Sequence, residues 1–324
     1  MNSLLKVGIV GTGYAAQKRA EAVQEDQRSQ LRYFVGNRPE NIETFSQTYS
    51  VPVLNSWQQL ATHPDLDLII IANINRDHAQ IAKTALLSGK HVIVEYPLAF
   101  TTTEGQELIQ LAQQQNKLLH VEHIELLGGL HNTIRHYLPE IGEVFFARYT
   151  TTALQRMAPR RWTYHKDLFG FPFIAGLSRI HRLTNLFGAV ASVSCQSRYW
   201  DAPETGYFTS CLCDAQIPFT SGLMAQSTYG KGEAFWYSDR TFELHGDQGS
   251  LIFVGEVGKL IRGKEETPLE SGPRSGLFKK DTQLVLDYLF EQQPLYVKVE
   301  ESLYALKVAQ AAEQSSLTGQ TIFL

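Results

Sequence analysis

Residues Gly11-Thr12-Gly13-Tyr14-Ala15-Ala16 have the types and spacing that a phosphate-bearing dinucleotide requires. Gly11 permits a tight turn, Gly13 lets the backbone approach a pyrophosphate, and Ala16 takes the third small position of the GxGxxA fingerprint. Amide groups opening the next helix would then face the phosphate charge. The hexapeptide alone is a weak sign, and its setting strengthens it: residues 7–10 read as a short apolar strand, and 17–24 suit a helix. A site built for NAD places Asp or Glu about 20 residues further on, against the ribose hydroxyls. That distance from Ala16 reaches Gly36, followed by Asn37 and Arg38, with no carboxylate. A guanidinium grips a 2′-phosphate by charge and forked hydrogen bonds. Residues Asn37 and Arg38 therefore predict NADP(H); the competing reading leaves Arg38 as a solvated loop residue.

The elements around these residues form a pattern. Strand-like runs at 31–35, 68–72 and 92–94 alternate with helical patterns at 41–49, 77–87 and 103–114. Alternation of this kind predicts a doubly wound parallel sheet with ligands at the carboxyl ends of its strands. Those ends carry the glycine motif, Gly36-Asn37-Arg38, Ala72-Asn73-Ile74-Asn75 and Glu95-Tyr96-Pro97. Beyond Glu125 the pattern changes. Six strand-like stretches (143–152, 191–200, 206–213, 222–229, 241–245 and 250–254) follow with no second glycine fingerprint. They predict a large, mostly antiparallel sheet in an α+β second domain. Residues 255–280 read as a loop-heavy excursion, and 282–292 and 301–315 as helices packing back on the body. The expected domains are 1–124, a Rossmann nucleotide-binding domain, and 125–324, a substrate domain.

Composition narrows the class. With 29 basic and 33 acidic residues in 324, the net charge of −4 provides no bulk field for nucleic acid or anionic membrane. The longest apolar stretches are short, as at 68–72, whereas a bilayer span needs roughly 20 residues. Residues 2–5, ahead of the first strand, leave no room for a signal peptide. Cys195, Cys211 and Cys213 are odd in number and without companions at ligand spacing. They predict buried thiols in a cytoplasmic protein, with no disulfide and no metal. The 17 Phe, 14 Tyr and 4 Trp either build a core or line a site for a flat ligand.

Residues 89–99, Gly-Lys-His-Val-Ile-Val-Glu-Tyr-Pro-Leu-Ala, resemble the Glu-Lys-Pro segment of the glucose–fructose oxidoreductase and inositol dehydrogenase superfamily. His78, opening a helix just after the 68–72 strand, fits the same layout. The lysine that serves sugar dehydrogenation in that superfamily is here Tyr96, and alcohol oxidation needs a proton acceptor beside the carbinol. The Glu-Tyr-Pro variant resembles the biliverdin reductase branch. So do residues 116–127 and 169–188, the latter with Phe-Gly-Phe-Pro, Gly176-Leu177-Ser178-Arg179 and Leu186-Phe187-Gly188. The resemblance covers the first 190 residues well and the remaining sheet loosely. The chain ends at Thr318-Gly-Gln-Thr-Ile-Phe-Leu324 without the cysteine-rich tail of animal members, so bacterial or cyanobacterial members are the better comparison.

The resemblance implies NADPH-dependent reduction of biliverdin to bilirubin, with hydride to the central methine carbon and a proton to a pyrrolic nitrogen. It implies that Arg179 acts as electrostatic stabiliser and proton relay, since a guanidinium normally keeps its protons. Glu95 would hold the nicotinamide ribose or carboxamide and Tyr96 the substrate side, with Glu122 and His123, the latter in a helical run, as neighbours. Arg161 and Trp162, in Arg160-Arg161-Trp162-Thr163-Tyr164-His165-Lys166, join Phe171 and Arg182 as substrate-binding candidates. Cofactor candidates are the residues from Gly11 to Ala16, Asn37, Arg38, Ala72, Asn73, Asn75, His78, Glu95 and Tyr96. The alternatives are a sugar or polyol dehydrogenase of the same superfamily and a non-catalytic NADP-binding sensor. The expected partner is biliverdin alone, bound by a monomer or weak homo-oligomer.

Overall fold

Five short strands, β1 (Leu5–Val10), β2 (Ser29–Val35), β3 (Leu68–Ile71), β4 (His91–Val94) and β5 (Leu119–Val121), pair in parallel in the order β2-β1-β3-β4-β5. The computed structural model describes residues 4–324, so the reading of the amino terminus falls partly on Asn2 and Ser3, outside the described residues. Successive side chains of a strand point to opposite faces. In β3, Ile69 and Ile71 accordingly join one apolar cluster, and Leu68 and Ile70 the other. All four are fully buried, each contributing roughly 1.5–3 kcal/mol by leaving water. The helices Tyr14–Glu25, Pro39–Tyr49, His78–Leu87 and Thr102–Gln114 connect the strands. Strand order reverses between β1 and β3, the switch point at which doubly wound sheets bind ligands.

β5 corrects one expectation. His123 does not lie in a helical run: it follows β5, whose ladder continues through Glu122 N–H donating to Val94 O at 2.9 Å. Three residues are too few to show a strand period, so the pattern around Leu119 reads equally as helix.

The second sheet has nine strands: β6 (Val144–Leu154), β7 (Ser192–Asp201), β8 (Phe208–Pro218), β9 (Met224–Gly232), β10 (Asp239–Gly246), β11 (Gly249–Val254), β12 (Val257–Arg262), β13 (Glu265–Glu270) and β14 (Ile322–Phe323). Its order is β13-β12-β11-β10-β6-β9-β8-β7-β14. Every pairing is antiparallel except β6 with β9. The stretch 255–280 is not the loop expected: β12 and β13 form a hairpin turning at Gly263, φ +60°. An edge strand tolerates proline and charge on its open side. β13 exposes Glu265, Glu266 and Pro268 while burying Leu269, and that composition imitates a loop.

By its contacts the chain forms two units. The first runs to Ile124 and adds Gly276–Leu303; the second holds Glu125–Ser275 and Tyr304–Leu324. Residues 276–303, expected in the second domain, thus group with the first. The reason is packing: Val285 is buried in one apolar cluster of the parallel sheet, with Leu289 and Leu295 against it. Among the described residues, no helix is long and apolar enough to cross a membrane. Cys195, Cys211 and Cys213 are buried free thiols, and burial pushes Cys211 up to about 11.

Candidate functional site

The first group of residues lines the carboxyl edge of the parallel sheet. Gly11 N–H donates to Val35 O at 2.8 Å, and Ala72 N–H to Val10 O at 2.8 Å, so the ends of β2, β1 and β3 stay in step. Gly11 has φ +125°, and a Cβ there would strike the Ala72 carbonyl. Only glycine satisfies both conditions. A Cβ on Gly13, by contrast, meets nothing within 4 Å, so open space lies over the start of the helix Tyr14–Glu25. Gly13 caps that helix without any side-chain hydrogen bond, leaving the first-turn amides available to an anion. Ala15 and Ala16 turn inward along the same helix, while Tyr14 is 69% exposed.

Gly36 lies against Thr12, since a Cβ on it would meet Thr12 Cγ2 at 2.6 Å. The β2 end therefore sits beside the glycine turn, with Asn37 and Arg38 both exposed. Arg38 caps the helix Pro39–Tyr49 through its backbone only. If its guanidinium meets a 2′-phosphate, Arg38→Ala narrows the preference for NADPH over NADH by roughly 1–3 kcal/mol, the scale of charge-assisted contacts. The ratio of the two kcat/KM values measures this. An unchanged ratio moves phosphate recognition elsewhere.

After β3 come Ala72, Asn73 and a single 3-10 turn, Asn75–Asp77, leading into His78. Asn73 Oδ1 is buried without a hydrogen-bond partner, so it can accept from a ligand. His78 Nδ1 lies 2.8 Å from Pro97 O, tying this turn to the cis Tyr96–Pro97 peptide. Burial holds the His78 ring below its ordinary value, against the pull of those backbone carbonyls. Tyr96 stacks on His123, with ring centroids 5.5 Å apart and planes 5° from parallel. His123 Nε2 in turn reaches Ser302 Oγ at 2.8 Å.

Glu95 is partnered by a residue that the sequence reading missed. Arg19, fully buried on the helix that follows the glycine turn, donates through Nε to Glu95 Oε1 at 2.9 Å. Its Nη1 donates to Asp281 Oδ2 and, at 2.9 Å, to Thr282 Oγ1. Asp281 Oδ1 also accepts from Tyr296 at 2.6 Å and meets His120 Nε2 at 2.8 Å. Tyr296 Oη receives the His123 N–H at 3.0 Å. Burial alone would raise the Asp281 carboxyl, but Arg19 and His120 outweigh it and hold it well below the usual range. Burial likewise opposes charge on Arg19, and Asp281, Glu95 and Glu122 together reverse that. Arg19, at i+3 from Ala16 on the buried side of its helix, is a visible anomaly in the sequence. Asp281, 262 residues away, carries no local signal.

The remaining candidates belong to the second unit. Arg179, on the helix Ser178–Phe187, donates from Nε to Thr151 Oγ1 at 3.1 Å and from Nη1 to Ser178 Oγ at 2.9 Å. Its guanidinium lies over the Tyr229 ring, 4.8 Å from the centroid. Arg182, one turn on, lies 5.8 Å from the Tyr149 centroid and is 3% exposed, with Nε and Nη1 unpaired. Burial would raise the Tyr149 phenol, yet Arg182, Arg179 and Arg240 together pull it below its ordinary value. The two helix arginines and Arg240 thus surround one buried ring with positive charge. Arg161 is exposed and donates to Thr163 Oγ1 at 2.9 Å, while Trp162 packs on Phe169 at 6.3 Å. Phe171 is buried against Phe173. Much of the aromatic surplus packs on itself here, since Tyr164, Phe169 and Phe208 form a core patch with Trp162, Tyr199 and Tyr229 around it.

Comparison with known proteins adds three findings. A model of the GFO/IDH/MocA oxidoreductase family, NAD-binding Rossmann fold, matches residues 5–123, and one of the family's C-terminal alpha/beta domain matches 139–324. The chain is 55% identical to a crystal structure of biliverdin reductase in complex with biliverdin and NADP+ from Synechocystis sp. PCC 6803. That match has a TM-score of 0.95 and covers 96% of this chain and 98% of that one. Human biliverdin reductase A is 25% identical over 262 residues, 80% of this chain and 79% of the human protein. The mouse enzyme is 29% identical over 195 residues, spanning 58% of this chain and 60% of the mouse protein.

Proposed function

We propose that this chain, which belongs to the GFO/IDH/MocA oxidoreductase family, reduces biliverdin to bilirubin at the expense of NADPH. The observation that carries the reading is the 55% identity, across nearly the whole chain, to a reductase solved with biliverdin and NADP+. The glycine turn at Gly11, the uncapped helix start at Gly13 and the orphaned Asn73 Oδ1 suit an NADP dinucleotide. Asn37 and Arg38 take its 2′-phosphate, and Ala72, Asn75, His78 and Glu95 shape its nicotinamide end. When bound, the nicotinamide supplies the hydride to the central methine carbon.

The rest of the work falls to the protein's own groups. Arg179 is held by Thr151 and Ser178, so its positive charge is fixed before substrate arrives. It stabilises the pyrrolic nitrogen as charge develops there and relays to it a proton taken from water or substrate, so the guanidinium ends the step still protonated. Tyr96, stacked on His123, bounds the substrate side. Arg182 and Arg161 supply charge for a dicarboxylate, and Trp162 and Phe171 supply apolar surface. A polyol dehydrogenase would need a proton acceptor where Tyr96 stands. The activity is placed in the cytoplasm, in a monomer or weak homo-oligomer.

Mixing protein, NADPH and biliverdin and following bilirubin absorbance tests the reading. Turnover of a polyol with none of biliverdin overturns it.

A further inference from the structure

Lys231, on β9, is a side chain for which the sequence offered no role. It lies opposite Cys211 of β8 and Ala153 of β6, and only 8% of it is exposed. Its ammonium donates to the Thr163 carbonyl at 2.5 Å. The same nitrogen sits 3.5 Å from the centroid of Phe169, 4.7 Å from that of Tyr164 and 5.4 Å from that of Phe208. A cation desolvated among ring faces and one carbonyl is held by both kinds of contact. Thr163, Tyr164 and Phe169 all belong to the irregular segment that carries Arg161 and Trp162. Its regular structure is a 3-10 turn, Trp162–Tyr164, a single bridge from His165 to Tyr207 and a one-turn helix, Lys166–Phe169. Its other ion pairs are peripheral: Arg160 with Glu204 at 2.9 Å and Lys166 with Asp201 at 2.6 Å, between groups 39–68% exposed. Exposed pairs of this kind contribute little order. The Lys166 N–H also donates to Gly206 O at 2.8 Å, and Tyr164 and Phe169 pack into the core. The buried ammonium ties Thr163 and both rings to the sheet at a single point.

We propose that Lys231 is a positioning residue for substrate, pinning the Arg161–Trp162 segment to the sheet in the geometry that binds the tetrapyrrole. This rests on the function proposed above and adds to it a residue that need not touch substrate itself.

The pin also titrates. Burial brings the Lys231 ammonium down to about 7, against the pull of Cys211 and with the repulsion of Arg161 and Arg179. Around it, Cys211 of β8 is raised to about 11 by burial, and Tyr164 is raised likewise, so neither changes charge near neutrality. Arg161 and Arg179 stay charged throughout. Because the folded value is depressed, the cation is lost as pH rises through about 7, and the ring contacts weaken with it. The KM for biliverdin should therefore climb between about pH 6 and pH 8.

Two variants, Lys231→Met and Phe169→Leu, test the proposal in the full chain, each compared with wild type by limited trypsin digestion and by steady-state kinetics. Cleavage after Arg160 and Arg161, mapped by mass spectrometry, should be about tenfold faster in Lys231→Met and intermediate in Phe169→Leu. The KM for biliverdin should rise about tenfold in Lys231→Met, with the KM for NADPH unchanged and the pH dependence of the biliverdin KM flattened. Faster cleavage with an unchanged biliverdin KM overturns the substrate role, and unchanged cleavage overturns the pin. A wild type that leaves biliverdin unreduced overturns the proposed function and the substrate half of this inference, while the trypsin comparison still decides whether Lys231 holds the segment.

Discussion

Arg179→Ala lowers kcat for biliverdin reduction by roughly 10²–10³-fold, the range for removing one preorganised charge from a transition state. The affinity for NADPH changes by less than about twofold, because the loss falls on the transition state and not on cofactor binding. The structural ground is the way Arg179 is held. Thr151 Oγ1 and Ser178 Oγ each accept one of its N–H groups, and the Tyr229 ring supports the guanidinium plane. A group fixed in this way does not reorganise as charge develops, which is what makes preorganised electrostatics effective. Arg179→Lys recovers only a small part of the rate, since a point ammonium cannot keep both hydroxyl contacts and the ring stack. Single-turnover measurements with saturating NADPH read the effect directly. A rate near wild type for Arg179→Ala would remove this residue from the mechanism.

The second large effect is on stability. Asp281→Ala destabilises the protein by about 3–5 kcal/mol in denaturant unfolding, because it leaves Arg19 charged and buried without its main partner. Arg19 is 0% exposed, and after the change Glu95, Thr282 and the Phe278 carbonyl remain as its hydrogen-bond acceptors. Replacing both members, Arg19→Met with Asp281→Leu, restores only part of the loss, since it removes the two buried charges but leaves Tyr296 Oη, His120 Nε2 and Glu95 without these partners. The pH dependence has a definite sign. The Asp281 carboxyl is held below its unfolded value, so its contribution is complete above about pH 4 and is lost as pH falls below that. Asp281→Asn should therefore flatten the acid limb of the stability curve. A loss under about 1 kcal/mol for Asp281→Ala would show that the network contributes little to folding.

The same network explains why the site was only partly legible. Each local rule that names a phosphate turn was present in adjacent residues: a strand, Gly11, Gly13, Ala16 and a helix. Asn37 and Arg38 were reached by counting along the chain. Nothing comparable announces that Glu95 is shared with Arg19, or that Arg19 is answered by Asp281 from a segment that the sequence reading had assigned to the other domain. Lys231 reads as one cation in a strand rich in small and polar residues. Its meaning comes from Phe169 and Thr163, more than 60 positions away. The β12–β13 hairpin was misread because an edge strand with glutamates and Pro268 obeys the statistics of a loop while its backbone obeys those of a sheet. His123 was misread because β5 is only three residues long.

What the chain determined by itself was therefore local and periodic: the alternation of strands and helices, the glycine turn with its backbone freedom, and the missing carboxylate at position 36. These follow from contacts among neighbours, where spacing along the chain is also spacing in space. What only the tertiary structure decided was which charges share a partner: Arg19 with Glu95 and Asp281, Arg179 with Thr151, Lys231 with Thr163. Burial makes such pairings necessary, because a charge removed from water must find its counterpart wherever the fold delivers one. Sequence distance places no limit on where that is.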